Sequence, residues 1–99
     1  KRRFTMYARL IMFTLGQGKR PFAEGMAKQF QGIMQGMKGF KNATFLVDEG
    51  VGEYGLLSLW ETKEEAESAA DAMRPGFQQA LEGKVQGPPS VRMFEVFEP

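Results

Sequence analysis

The chain has 99 residues, 42% hydrophobic and 25% charged, with a net charge of +1; this is ordinary globular composition and the length of a single domain, read over 1–99. Cys and His are both absent, which excludes a disulfide framework, a thiol nucleophile, any Ser-His or Cys-His pair, and the commonest general base, metal ligand and haem ligand. Lys and Arg are scattered, so nothing points to nucleic acid, and the longest apolar run, Leu10 to Phe13, is far too short to cross a bilayer.

The basic start, Lys1-Arg2-Arg3, reads as a solvated terminus. Met6 is a candidate natural start, which leaves residues 1–5 as an N-terminal extension, either flexible native sequence or added. Arg9 interrupts the apolar stretch that follows and no small-residue cleavage site comes after it, so a secretory signal is a poor reading and the cytoplasm is the expected location.

Residues 6–15 read as a strand bounded by Gly16 and Gly18, with apolar residues on both parities: Tyr7, Ile11, Phe13 and Leu15 against Ala8, Leu10 and Met12. Residues 21–37 read as an amphipathic helix. Pro21 suits its first turn, and Phe22, Met26, Phe30, Ile33, Met34 and Met37 form an apolar stripe at helical spacing. Gly25, Gly32 and Gly36 fall together on one flank of that stripe, which suggests close packing by another backbone or, less directly, a ligand. Gly39-Phe40 ends the helix. Lys41–Asp48 and Tyr54–Trp60 then form a hairpin around a glycine-containing turn. Thr62 and Glu65 have the capping-box spacing that opens a second helix, with Ala66, Ala69, Ala70 and Met73 on one face. Pro75-Gly76 is expected to break it, leaving a short segment around Phe77, Ala80 and Leu81. Gly87-Pro88-Pro89 turns the chain into a last strand, Val91–Phe97.

The order strand, helix, two strands, helix, strand predicts an α+β ferredoxin-like sandwich, β-α-β-β-α-β, with two helices on one face of a four-stranded antiparallel sheet. A sheet with one wet face should alternate apolar with polar, and these strands do not: Leu57 and Leu59 oppose Tyr54, Leu56 and Trp60, and Phe94 and Val96 oppose Val91, Met93 and Phe97. Leaving such side chains wet forgoes about 1.5–3 kcal/mol each. A homodimer closed through the sheet face is the simplest cover.

Gly50-Val51-Gly52-Glu53-Tyr54-Gly55 has the G-x-G-x-x-G spacing, but a strand rather than a helix follows, so it reads as a hairpin turn and not a nucleotide site. Asp48, Glu49 and Glu53 read as a solvated turn rather than a cation site, and no metal site is expected. Nine Phe and seven Met supply a core of adaptable filler that also suits an apolar cavity. The lone tryptophan, Trp60, shares a strand face with Tyr54, Leu56 and Ser58; on spacing alone it is a core indole with its N–H satisfied.

Gly39-Phe40, the hairpin, Leu59-Trp60-Glu61-Thr62-Lys63-Glu64-Glu65-Ala66 and Pro75-Gly76-Phe77 together resemble the antibiotic-biosynthesis-monooxygenase family of dimeric α/β-barrel proteins, from about Met6 to Phe97. The resemblance implies a ferredoxin-like dimer whose sheets form a barrel, and oxidation of a small phenolic or quinol-type molecule by O₂ with no separate cofactor. It implies a ligand between sheet and helices near Trp60. The candidate catalytic residues are then Trp60, to stack the ring, and Arg74 or Tyr54, to stabilise an anionic substrate. Ser58, Phe30, Met34, Ile11 and Leu81 are candidate ligand-binding residues, with Arg9 a weaker one. Ile11 and Leu81 stand where the haem-degrading members carry asparagine and histidine, so haem degradation is not expected. With no histidine, proton abstraction falls to a carboxylate, a tyrosinate or the substrate itself. The alternative is a non-catalytic small-ligand-binding or stress-associated dimer of the same fold, since fold alone does not fix function.

Overall fold

The computed structural model describes residues 5–97; the basic start and most of the N-terminal extension lie outside the described residues. The elements are β1 (Tyr7–Thr14), α1 (Arg20–Gln35), β2 (Phe40–Asp48), β3 (Glu53–Trp60), α2 (Lys63–Leu81) and β4 (Ser90–Glu95). Their order is the predicted β-α-β-β-α-β. The strands form one sheet in the order β2-β3-β1-β4, and every neighbouring pair is antiparallel.

Strand parity decides what each side chain can reach. In register, Arg9 faces Ser58, Ile11 faces Leu56 and Phe13 faces Tyr54 across β1 and β3. Ile11, Phe13, Tyr54, Leu56, Ser58 and Trp60 are all buried under the helices. Against them α1 packs Ala23, Met26, Phe30 and Met34, and α2 packs Ala66, Ala69, Ala70, Met73 and Leu81. The small alanines let α2 lie close to the sheet while the larger Met and Phe side chains of α1 fill the remaining depth.

The structure corrects three readings. First, α2 is not broken at Pro75-Gly76 but continues through Pro75 to Leu81. Proline in a helix interior costs about 3 kcal/mol. Continuing the helix places Leu81 in the core and packs a partly buried Phe77 against it; full burial of Leu81 returns about 1.5–3 kcal/mol and partial burial of Phe77 adds to that. Second, the glycine flank of α1 meets no close packing within the chain: a Cβ at Gly25 or Gly32 would find open space. Third, the apolar stripe of α1 is rotated slightly, so that Ala23 is buried and Ile33 is 42% exposed.

At the start of α2 the Thr62 hydroxyl accepts from the Glu65 N–H at 3.1 Å, as the capping-box spacing predicts. The hairpin glycines are accounted for by geometry. Gly52 sits at φ +71, its carbonyl accepts from the N–H groups of Leu15 (2.9 Å) and Gly16 (3.2 Å), and a Cβ there would overlap the Gly16 backbone. The carboxylates of the turn are likewise engaged: Asp48 Oδ1 accepts from the Gly50 N–H at 3.1 Å, and Glu49 pairs with Arg20 at 2.7 Å.

Candidate functional site

Two cavities open between the helices and the sheet, one on each side of a shared wall formed by Phe30, Leu56 and Phe77. Phe77 is the centre of that wall. It meets Phe30 edge-on at 5.7 Å and Phe13 edge-on at 5.5 Å between ring centroids, the arrangement aromatic quadrupoles prefer. Its position follows from the uninterrupted α2. With the helix continuous, Ala70, Met73, Arg74, Phe77 and Gln78 recur at helical spacing and face one cavity together.

That cavity, beneath α2 and toward β4, has a volume of about 220 Å³. Its apolar walls come from Ile11, Met73, Val91 and the shared Phe30, Leu56 and Phe77, and its polar groups are Arg9, Arg74 and Gln78. Arg9 is delivered by β1, two residues before Ile11 on the helix-facing parity. Arg74 is delivered by α2 and pairs with Asp71 one turn earlier at 2.9 Å. That pair is solvent-exposed on both sides, so it contributes little on its own. Arg9 has no carboxylate within ion-pair distance among the described residues. Burial lowers the Arg9 pKa from its ordinary value; the Arg74 charge adds to that lowering and Asp71 opposes it. An arginine stays protonated regardless, so the shift records a cation held partly out of water beside another cation. A partly buried charge of this kind is stabilised by a complementary anion.

Trp60 lines neither cavity. It is 1% exposed, meets Phe40 edge-on at 5.3 Å, and its indole N–H donates to Ser58 Oγ at 2.9 Å. The Ser58 hydroxyl makes a longer hydrogen bond, 3.4 Å, to the Arg9 carbonyl. The two residues therefore bear on the backbone of β1 at Arg9.

The residues singled out from the sequence are thus divided. Arg74, Arg9, Ile11 and Phe30 come together in the cavity beneath α2. Tyr54 lines the second cavity, beneath α1, with Phe30. Ser58, Met34 and Leu81 are buried core residues that line neither cavity. Met73, Phe77, Gln78 and Val91 were missed as lining residues. The signal that would have found three of them is the helical spacing from Ala70 to Gln78, hidden by reading Pro75 as a break.

No helix among the described residues is long and apolar enough to cross a membrane, and no cluster of three or more carboxylates among them has metal-site geometry. No family model matches the chain, and no curated protein matches it. Solved structures do. The chain is similar to the monooxygenase from the gene ActVA-Orf6 of Streptomyces coelicolor, determined in complex with nanaomycin D, with a TM-score of 0.76 and 17% identity over 94% of this chain and 88% of that one. It is similar to a variant of SnoaB, a cofactor-independent oxygenase from Streptomyces nogalater, with a TM-score of 0.71 and 16% identity over 95% of both chains. It is as similar to NE2512, a protein of unknown function from Nitrosomonas europaea, with a TM-score of 0.79 and 10% identity over 97% and 93%. The chain has the ferredoxin-like fold of the antibiotic biosynthesis monooxygenases.

Proposed function

We propose that the chain is a cofactor-independent monooxygenase-like protein that holds a small phenol or quinol as its anion in the cavity beneath α2. The observation that carries this reading is the convergence of Arg9 and Arg74 on a cavity whose other lining residues are apolar but for Gln78. Its volume, about 220 Å³, has room for one or two fused aromatic rings, since a 150 Å³ apolar cavity holds benzene.

Two guanidiniums beside a phenolic oxygen favour the phenolate and lower its pKa. Water at the cavity mouth accepts the proton. The phenolate is electron-rich at the ring carbons ortho and para to oxygen, and it supplies the electrons for reaction with O₂. A C–O bond forms, and the peroxide takes a proton back from that water to give a hydroperoxide. Loss of the C–H proton then breaks the O–O bond and expels the distal oxygen as water, leaving a quinone. One oxygen atom enters the product and one leaves as water, and the substrate is the only reductant. In this scheme Arg9 and Arg74 touch the substrate. Trp60 and Ser58 are positioning residues that act through the Arg9 backbone. In this reading two chains pair through the open sheet face, opposite the face that carries Arg9 and Arg74.

Oxygen uptake with a panel of hydroquinones and hydroxylated polycyclic phenols tests the reading. Arg9→Gln and Arg74→Gln should each raise KM and lower kcat/KM by about tenfold or more, the loss expected for a charged hydrogen-bonding partner. Trp60→Phe, acting through a displaced Arg9, should raise KM in the same direction as Arg9→Gln but by less. Uptake indifferent to both arginines would overturn the site assignment.

A second reading, a non-catalytic binder of aromatic anions, is favoured by one observation: the cavity lining contains no carboxylate, and the whole chain has no histidine to act as a base. It predicts that phenolates raise Tm in an Arg9-dependent way with no oxygen consumed.

A further inference from the structure

The cavity beneath α1 carries the opposite electrostatics. It has a volume of about 170 Å³, and five aromatic rings contribute to its walls: Phe13, Phe45, Tyr54 and the shared Phe30 and Phe77. Its charged lining residues are Arg20 and Glu24, and both are already engaged. Arg20 Nε donates to Glu24 at 2.9 Å, and Nη1 donates to Glu49 in the β2–β3 turn at 2.7 Å. These hydrogen bonds, Glu49 first and then Glu24, raise the Arg20 pKa above its ordinary value. One cation facing two carboxylates leaves this rim with an excess of negative charge, so an anion is disfavoured here. Arg9 and Arg74 with Asp71 give the other cavity an excess of positive charge. Tyr54, only 7% exposed, brings the one phenolic hydroxyl to this lining.

We propose that the cavity beneath α1 is a second, independent binding site for a neutral single-ring aromatic molecule, its ring among Phe13, Phe45 and Phe77 and a polar substituent hydrogen-bonded to Tyr54. The volume suits one ring rather than several, because an apolar cavity of about 150 Å³ holds benzene. Ring-lined walls offer the edge-to-face contacts that favour an aromatic guest over an aliphatic one of equal size. The proposal makes no assumption about chemistry in the arginine-lined cavity.

Two methionines report the sites separately. Met26 lines only the cavity beneath α1, and Met73 lines only the one beneath α2. With the methionine methyls labelled for NMR, phenol is titrated at neutral pH, where it is uncharged, and benzoate is titrated as the anionic probe. Phenol should shift the Met26 methyl saturably, with a constant distinct from the one at which any phenolate taken up beside Arg9 and Arg74 shifts Met73. Ala27→Phe, which projects a ring into the cavity from α1, should weaken phenol about tenfold or more by overpacking the site; an unchanged Met73 resonance in that variant shows that the fold is kept. A Met26 methyl that phenol does not move in the unmodified protein overturns the proposal. So does a titration in which Met26 and Met73 move together with one constant, since the two cavities would then be one site. A failure of benzoate to move Met73 would count against the anion cavity alone and is read separately from the Met26 result.

Discussion

Individual glycines in this chain have opposite roles, and the structure separates them. Gly52 lies at φ +71 with the Gly16 backbone against it. A side chain there combines the left-handed penalty of about 1–2 kcal/mol with a clash against backbone that cannot move aside cheaply. Gly52→Ala should therefore lose at least about 2 kcal/mol, a fall in Tm on the order of 10 °C for a domain of this size. Gly25 is in the helical interior of α1 with open space beyond it, and Gly25→Ala should gain about 0.5–1 kcal/mol by restoring ordinary helix propensity. Thermal unfolding of the two variants side by side checks both signs. The sequence pattern already located the hairpin, because a strand and not a helix follows Gly55. It could not rank Gly52 above Gly25, since the φ angle and the approach of Gly16 are tertiary facts. Trp60 shows the same division. Its face on β3 was readable from parity, whereas its distance from either cavity depends on how Phe40 and Ser58 enclose it.

At the scale of elements, α2 carries the most consequence. Its beginning is encoded locally: the Thr62 hydroxyl holds the Glu65 N–H at 3.1 Å, and Glu64 and Glu65 in the first turn complement the helix dipole. Thr62→Ala should cost about 1 kcal/mol. Its middle is a conflict between local and tertiary terms. Local chemistry at Pro75 argues for a stop, and the core beneath Phe77 and Leu81 overrides it. Pro75→Ala restores the missing N–H opposite the Asp71 carbonyl and should raise stability by about 1 kcal/mol or more, up to the roughly 3 kcal/mol proline penalty. Denaturant unfolding at equilibrium measures both, and an unchanged m-value would show that each acts on the folded helix. A Pro75→Ala variant less stable than the parent would mean that the helix bends there to position Phe77. That override is why the sequence placed Arg9, Arg74, Ile11 and Phe30 as candidates without showing that they share a cavity. The spacing that joins Arg74 to Ala70 and Phe77 crosses the residue that appeared to end the helix.

For the whole molecule, the face of the sheet turned away from the helices sets the question. By register it carries Leu10 and Met12 on β1, Leu46 on β2, Leu57 and Leu59 on β3, and Phe94 on β4. Leu46 and Leu57 are each 38% exposed. Six large apolar side chains across four adjacent strands form one continuous patch, more than a lone monomer usually leaves in water. A closed two-fold pairing of sheet on sheet would bury it while keeping Arg9, Arg74 and Tyr54 on the opposite side of each sheet. Such a pairing would protect the scaffold and leave the arginine-lined cavity on the far side of each sheet. Light scattering should give twice the chain mass at micromolar concentration. Leu57→Glu, which sets a carboxylate in the centre of the patch, should reduce it to the mass of one chain, because a buried unpaired charge costs more than the contact it replaces. Ile33→Glu, on the outward side of α1 at 42% exposure, should leave the mass unchanged. A parent protein that runs as a monomer would remove the dimer from this picture.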